Sequence, residues 1–367
     1  MDGVCWAPFP ALCIDETAGN PALAREFHTD YGTVQLTLTV YLVAVALSQL
    51  VTGPWSDRAG RRPVVLFALI TFFVGCLAAA IAPTIEALIA ARVVQAIGSG
   101  AAFALARSII RDTSDRDEAA SRIGYMMVAM LVAPMLSPTL GSVIDRIAGW
   151  HAIFLAMAGI AACSWTLVWL RLPETNLRRD PHASFGKVAS AFPILLRNRA
   201  FLAYTLSSCA TSANFFAFVA AAPHVVVESM HREPHVYAGW FAVMSIGYAT
   251  GNFISGRYAS RIGSDRMIVA GSWLTLVAAL LQGAWAIYGP WTPATLFAPG
   301  FLIAIGNGVA IPSAMAAALS VRPDFAGAAS GLAGSLQLGT AASVAFIAGR
   351  VVPDAPRGIV VITILCA

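Results

Sequence analysis

Apolar runs of nearly constant length follow one another along the whole chain, separated by short breaks rich in arginine, glycine and proline. A lipid core about 30 Å thick asks for roughly 20 residues of helix at about 1.5 Å rise each. On that measure the pattern predicts about twelve membrane helices, at 3–24, 32–52, 63–82, 85–110, 122–145, 150–171, 200–222, 236–256, 266–288, 293–319, 327–349 and from 358. The stretch from Leu172 to Arg199, with Glu174, Arg178, Arg179, Asp180 and Lys187, is the one long polar interruption. The expected organisation is an N-terminal six-helix bundle at 1–171, a linker at 172–199 and a C-terminal six-helix bundle at 200–367. The last segment, Gly358 to Ala367, has length for about half a crossing and is expected to be a truncated helix.

Composition agrees with this pattern and excludes a soluble globular enzyme. The chain is 58% apolar and 11% charged with a mean hydropathy of +0.73, against about 45–50% and about 25% in ordinary soluble proteins. The formal charge of +4 is almost all arginine, since Lys187 is the single lysine. Arginine crowds the connections after the even-numbered segments, whereas the opposite connections hold only Arg25, Arg146, Arg232, Arg350 and Arg357. Basic residues accumulate in cytoplasmic loops, so both termini and the linker are expected in the cytoplasm, and the basicity points to topology rather than to nucleic acid. The six cysteines sit in apolar runs without paired spacing and read as core residues. The histidines have no ligand spacing, and no Walker loop, nucleophile elbow or HExxH element occurs. The expectation is a transporter rather than an enzyme, without metal or cofactor.

The two halves share a loop. Gly53, Arg58 and Gly60 after the second segment recur as Gly256, Arg261 and Gly263 after the eighth, each displaced by 203. Such duplication marks transporters built from repeats. Glycines permit a tight helix-to-helix turn, and the charges can lock neighbouring helices.

The first loop, Gly53-Pro54-Trp55-Ser56-Asp57-Arg58-Ala59-Gly60-Arg61-Arg62, matches G-x-x-x-D-R-x-G-R-R at every defined position. In this it resembles the major facilitator superfamily. Closer in, the chain is similar to the Bcr/CflA type of bacterial drug/proton antiporter. Leu88, Arg92, Gln95 and Gly98 follow that type's L-x-x-x-R-x-x-Q-G-x-G, with Ala96 in place of the first glycine. The run Ala133 to Gly141, with Pro134, Pro138 and Gly141, resembles its variant of the antiporter motif, with Ser137 in place of a glycine. Trp150-His151-Ala152-Ile153-Phe154, Pro173-Glu174-Thr175 and Ala326 to Gly331 extend the likeness over nearly the whole chain.

The resemblance implies an all-α major facilitator fold with two six-helix bundles around a central cavity. It implies proton-coupled export of small lipophilic drugs such as chloramphenicol or bicyclomycin across the bacterial inner membrane, by a monomer that needs only substrate, protons and bilayer. Asp15 and Glu16 lie in the first apolar run, where a carboxylate is costly and desolvation raises its pKa toward neutrality. They are the expected proton carriers, Asp15 standing before Pro21, unless that helix starts late and leaves both at a wet interface. Arg92, a permanent charge in mid-segment, is expected to complete the relay or to bridge helices. Asp57 is expected at the N-terminus of the eleventh helix and Arg61 near Asp112, a conformational latch with Gly53, Arg58, Gly60 and Arg62; Ser260 in the second copy predicts a weaker latch there. Gly327, Gly331, Ser335 and Gly339 form a small-residue stripe suited to close helix packing. Tyr41, Gln95, Tyr204, Asn214 and Asn307 are candidate cavity residues. An uptake carrier of the same fold and a non-transporting relic or sensor remain as alternatives.

Overall fold

The computed structural model describes residue 27 and residues 31–176, 191–351 and 357–367. Among these, every regular element is helical. The order is α1 (Tyr31–Ala59), α2 (Arg61–Ala80), α3 (Ile85–Asp112), α4 (Arg116–Ala148), α5 (Trp150–Arg171), a short α6 (Ala191–Arg197), α7 (Arg199–His224), α8 (Pro234–Ile262), α9 (Ser264–Tyr288), α10 (Pro293–Ser320), α11 (Ala326–Val351) and α12 (Gly358–Leu365). A π-helical turn, Val225–Ser229, prolongs α7, and a 3-10 turn, Pro323–Phe325, leads into α11. Seven helices, α2, α3, α5, α7, α9, α10 and α11, are long and apolar enough to cross a membrane.

The helices outrun the apolar runs where polar residues favour helix. α4 begins at Arg116 with Asp117 and Glu118 in its first turn, where acids complement the helix dipole. α1 continues through Pro54 to Ala59 and stops at Gly60, whose φ of 99° only glycine adopts at little cost. The linker is not wholly irregular: α6 buries Ala191 and Leu195.

The chain forms two compact units. The first comprises residues 1–113, 129–195 and 322–335. In it α2 lies against α3 and α5, and α1 against α3, around Val64, Leu69, Phe72, Leu105, Ile109 and Phe154. Close approach is set by glycine: a methyl on Gly98 would lie 2.5 Å from the Ala68 carbonyl oxygen. The second comprises residues 114–128, 196–321 and 336–367. Its centre is α10, packed chiefly on α8, α9 and α7, with Phe218, Met244, Leu296 and Phe297 closing the core toward Ile359 and Val360 of α12. Large apolar side chains such as Val51, Ile81, Leu170 and Trp273 face outward, as a lipid-solvated surface requires.

Candidate functional site

Two polar constellations lie in the first unit. The first is built on the turn between α1 and α2. Gly60 caps α2 without a side chain, so the first amides of α2 need partners from elsewhere. Glu174 supplies them: its carboxylate accepts from the Arg61 amide at 2.9 Å and the Arg62 amide at 3.3 Å. Asn176 reaches back to donate to the Asp57 carbonyl at 3.0 Å.

Arg61, 2% exposed, stands between two acids. Its Nη1 lies 2.7 Å from Asp57 Oδ1 and its Nε 2.8 Å from Asp112 Oδ2 at the end of α3, while Nη1 also donates to Ser56 Oγ at 2.6 Å. Two carboxylates share one guanidinium, each through a charge-assisted hydrogen bond to a different nitrogen. Asp57 also accepts from the amides of Gly327 and Ala328, at 2.9 and 2.7 Å, and so caps the start of α11. Asp57 lies beyond the predicted 32–52 span. Burial raises its carboxyl above the ordinary value, against the downward pull of Arg61 and the two amides. Arg58 sits in the last turn of α1. Arg62 points away from the acids, donating to the Trp169 carbonyl at 2.9 Å with its guanidinium 5.4 Å from the Trp169 ring.

The stripe on α11 lies along α1 for three of its four members. A methyl on Gly327 would come 2.5 Å from the Gly53 carbonyl oxygen, one on Gly331 would strike the Gln49 carbonyl, and Ser335 donates to the Ala46 carbonyl at 2.6 Å. Gly339 has open space around it. Arg107, near the end of the predicted 85–110 segment, is wholly buried within α3. Its Nη2 donates to Gln49 Oε1 at 2.7 Å and to the Ser330 carbonyl at 3.3 Å, and its guanidinium lies 4.4 Å from the Phe103 ring.

The second constellation gathers Tyr41, Arg92 and Gln95. Arg92, 1% exposed, donates through Nη1 to Gln95 Oε1 at 2.5 Å and lies 4.2 Å from the Tyr41 ring centroid. Gln95 turns its amide nitrogen to Cys76 Sγ at 3.1 Å, and Tyr41 shares a hydrogen bond of 2.8 Å with Ser99. A cation over a tyrosine face, with an amide oxygen at its edge, holds a charge in an apolar helix.

The other residues singled out from sequence are placed apart. Asn214 donates to the Thr363 carbonyl at 3.0 Å, joining α7 to α12. Asn307 accepts from Thr275 at 3.1 Å and donates to the Thr211 carbonyl at 3.4 Å. Tyr204 lies near the start of α7, where its hydroxyl donates to Asp265 at 2.9 Å. Pro134, Pro138 and Gly141 fall within α4, which remains helical through both prolines. Asp15 and Glu16 lie outside the described residues. In the sequence Glu174 stands out only in the polar interruption and in a likeness, and Asn176 not at all; their contacts with the loop join positions 113 and 119 apart, distances no local pattern reveals.

The family model of the Major Facilitator Superfamily matches residues 14–346. The chain belongs to this superfamily. As members of it, such proteins are transporters embedded in the membrane by several passes, not enzymes. The chain is 32% identical over 322 residues, 87% of its own length and 80% of the relative's, to the "Uncharacterized MFS-type transporter YdgK" of Bacillus subtilis (strain 168). It is 29% identical to the "Chloramphenicol resistance protein" of Pseudomonas aeruginosa, over 83% of this chain and 70% of that one. The fold matches the crystal structure of the facilitator transporter FucP in the outward conformation with a TM-score of 0.79 at 12% identity, covering 99% of this chain and 94% of that one.

Proposed function

We propose that the chain exports small lipophilic compounds, chloramphenicol and bicyclomycin among them, across the inner membrane of a bacterium in exchange for protons. The observation that carries the reading is Arg92, a buried cation kept in an apolar helix by Gln95 and Tyr41. A fixed charge there costs free energy that packing alone does not require, and a task in binding or coupling accounts for it. The chain's likeness to a relative named for chloramphenicol resistance supports the choice of substrate.

In this reading Asp15, with Glu16, loads and releases the proton, and Arg92 favours the ionised acid while substrate is bound. Tyr41 and Gln95 offer hydrogen bonds to polar groups of substrate. Gly53, Asp57, Arg58, Gly60, Arg61, Arg62 and Asp112 form the latch that holds one state of the cycle, and Pro134, Pro138 and Gly141 let α4 bend. The protein works as a monomer with both termini in the cytoplasm. One proton entering down about 100 mV releases about 2.3 kcal/mol, and each pH unit about 1.4 kcal/mol more, enough to drive accumulation roughly fiftyfold and beyond.

The test is proton movement in inverted membrane vesicles on addition of chloramphenicol. Release of protons from wild-type vesicles that disappears in Asp15→Asn and in Arg92→Ala, at matched expression, is the expected result. Silence of well-inserted wild type toward both chloramphenicol and bicyclomycin overturns the substrate reading, and flux without proton movement overturns the coupling.

A further inference from the structure

The displacement of 203 residues that relates the two loops relates a second pair of positions: as Gly53 maps on Gly256, so Gly124 maps on Gly327. The structure uses the two pairs alike. α1 meets α11 where Gly53 faces Gly327, and α4 meets α8 where Gly124 faces Gly256. A methyl on Gly124 would lie 2.7 Å from the Gly256 nitrogen and 2.8 Å from the Asn252 carbonyl oxygen. Ser121 donates its hydroxyl to the Gly256 carbonyl, and Tyr125 packs edge-on against Phe253 with centroids 6.1 Å apart.

The charges are not repeated with the glycines. The positions equivalent to Asp57, Arg61 and Arg62 are Ser260, Ser264 and Asp265, so the loop copy lacks the acid and the arginine that hold the first latch. The sequence expectation of a weaker contact follows from the loop alone, and the loop is only one side of it. The acid comes from the facing helix. Asp117, in the first turn of α4, accepts from the Ser264 amide at 2.7 Å and from the Ser264 hydroxyl at 2.6 Å. It thereby caps α9, whose own cap residue Gly263 has a φ of 95° and no side chain to offer. Beside it, Arg116 donates to Asp265 and to the Tyr204 hydroxyl, the latter at 3.0 Å, and Tyr204 donates to the same Asp265 oxygen at 2.9 Å. The first latch sends a loop carboxylate to a facing helix start, and here a facing-helix carboxylate is sent to the loop.

We propose that Arg116 and Asp117 are positioning residues of transport, forming with Ser264, Asp265 and Tyr204 a second latch of reversed polarity that holds α4 on α9 in one state of the cycle and parts in another. The proposal rests on the reading that the chain transports. Three features suit a contact that opens. Its ion pair is 35% and 62% exposed, so water can take over both charges as they part. Its cap is two hydrogen bonds to a helix start rather than buried apolar packing. Its crossing brings Gly124 against the Gly256 backbone, with the Tyr125 ring over Gly256, a close approach that small residues allow.

The experiment is hydrogen exchange on the full chain in lipid nanodiscs, without substrate, comparing wild type with Arg116→Glu, Asp265→Arg, the double charge swap, and Asp117→Asn. Each of the two charge reversals, Arg116→Glu and Asp265→Arg, is expected to raise exchange about fivefold in peptides covering 116–124 and 261–268, as the ion pair becomes a like-charge repulsion. It is expected to lower exchange at the far ends of α4 and α9, because opening one side of a two-state carrier populates closure of the other. The double swap returns both ends to wild-type values, and Asp117→Asn shows the same pattern more weakly. In parallel, the single variants lower the maximal rate of chloramphenicol flux with KM unchanged, and the swap restores the rate. Unchanged exchange in the single variants overturns the latch, as does a rise at both ends of the helices that the swap leaves uncorrected. Wild type that moves no chloramphenicol overturns the substrate reading alone, since the exchange pattern is read without substrate.

Discussion

Gly53 and Gly327 meet backbone to backbone: a methyl on Gly327 would stand 2.5 Å from the Gly53 carbonyl oxygen and from Asp57 Oδ1, and one on Gly53 would overlap the Gly327 carbonyl. The Gly53 carbonyl is backbone and cannot yield, and the side-chain obstacles, Asp57 and Arg61, are held in place by their pairing. Gly327→Ala is therefore expected to force α11 off α1 at a cost of about 1–3 kcal/mol. Gly339→Ala, with nothing near it, is expected to be neutral or slightly stabilising. Thermal unfolding of the two purified variants in one detergent checks the contrast.

Asp57 gives a prediction with a sign. A carboxyl raised by burial binds its proton more tightly in the fold than in the unfolded chain. Its linkage contribution is present below the ordinary aspartate value and is lost as pH rises through the folded value. Asp57→Asn, which resembles the protonated acid, should therefore gain stability relative to wild type as pH rises from about 4 to about 8. Asp57→Ala removes both acceptors from the amides of Gly327 and Ala328 and should cost about 1–2 kcal/mol more than the Asn variant. Unfolding midpoints measured across that pH range for the three proteins decide it.

Glu174 caps α2 from 113 residues away. Glu174→Ala should cost about 1 kcal/mol, and Glu174→Gln, which keeps an acceptor, about half of that. The drop should localise to faster exchange at the Arg61 and Arg62 amides, whereas a general loosening of α5 would refute the capping role.

Gln95 holds Arg92 through one oxygen at 2.5 Å. Gln95→Leu removes an acceptor beside a buried cation and should destabilise by about 1–3 kcal/mol. Gln95→Glu places a charge on the same atom and should retain wild-type stability, so a Glu variant as unstable as the Leu variant would contradict the pairing.

What the sequence makes legible depends on how far apart the cause and the effect lie. The apolar run at 150–171 predicts α5, which spans Trp150–Arg171, because its length is a local signal. The start of α4 was read six residues late, since Asp117 and Glu118 look like loop to a hydropathy window and like a favourable first turn to a helix dipole. Gly53, Asp57, Arg61 and Asp112 could be grouped through a family likeness, yet the likeness is silent about Glu174 and Asn176 as partners. The burial of Arg107 is not legible, because it depends on Gln49 and Ser330, positions that periodicity along α3 cannot locate. Tyr204 reads from sequence as a candidate cavity residue, whereas its partners Arg116 and Asp265 come from two other helices that the pattern cannot bring to it.

The position of α10 at the centre of the second unit bears on how the protein is made. Its chief partners α7, α8 and α9 all precede it in the chain. When α10 leaves the ribosome, the Thr211 carbonyl and the Thr275 hydroxyl that will satisfy Asn307 are already synthesised. A helix with a buried amide and two internal prolines, Pro299 and Pro312, is a poor resident of lipid on its own. Birth order spares it that interval, delivering it into a niche whose walls have been inserted ahead of it.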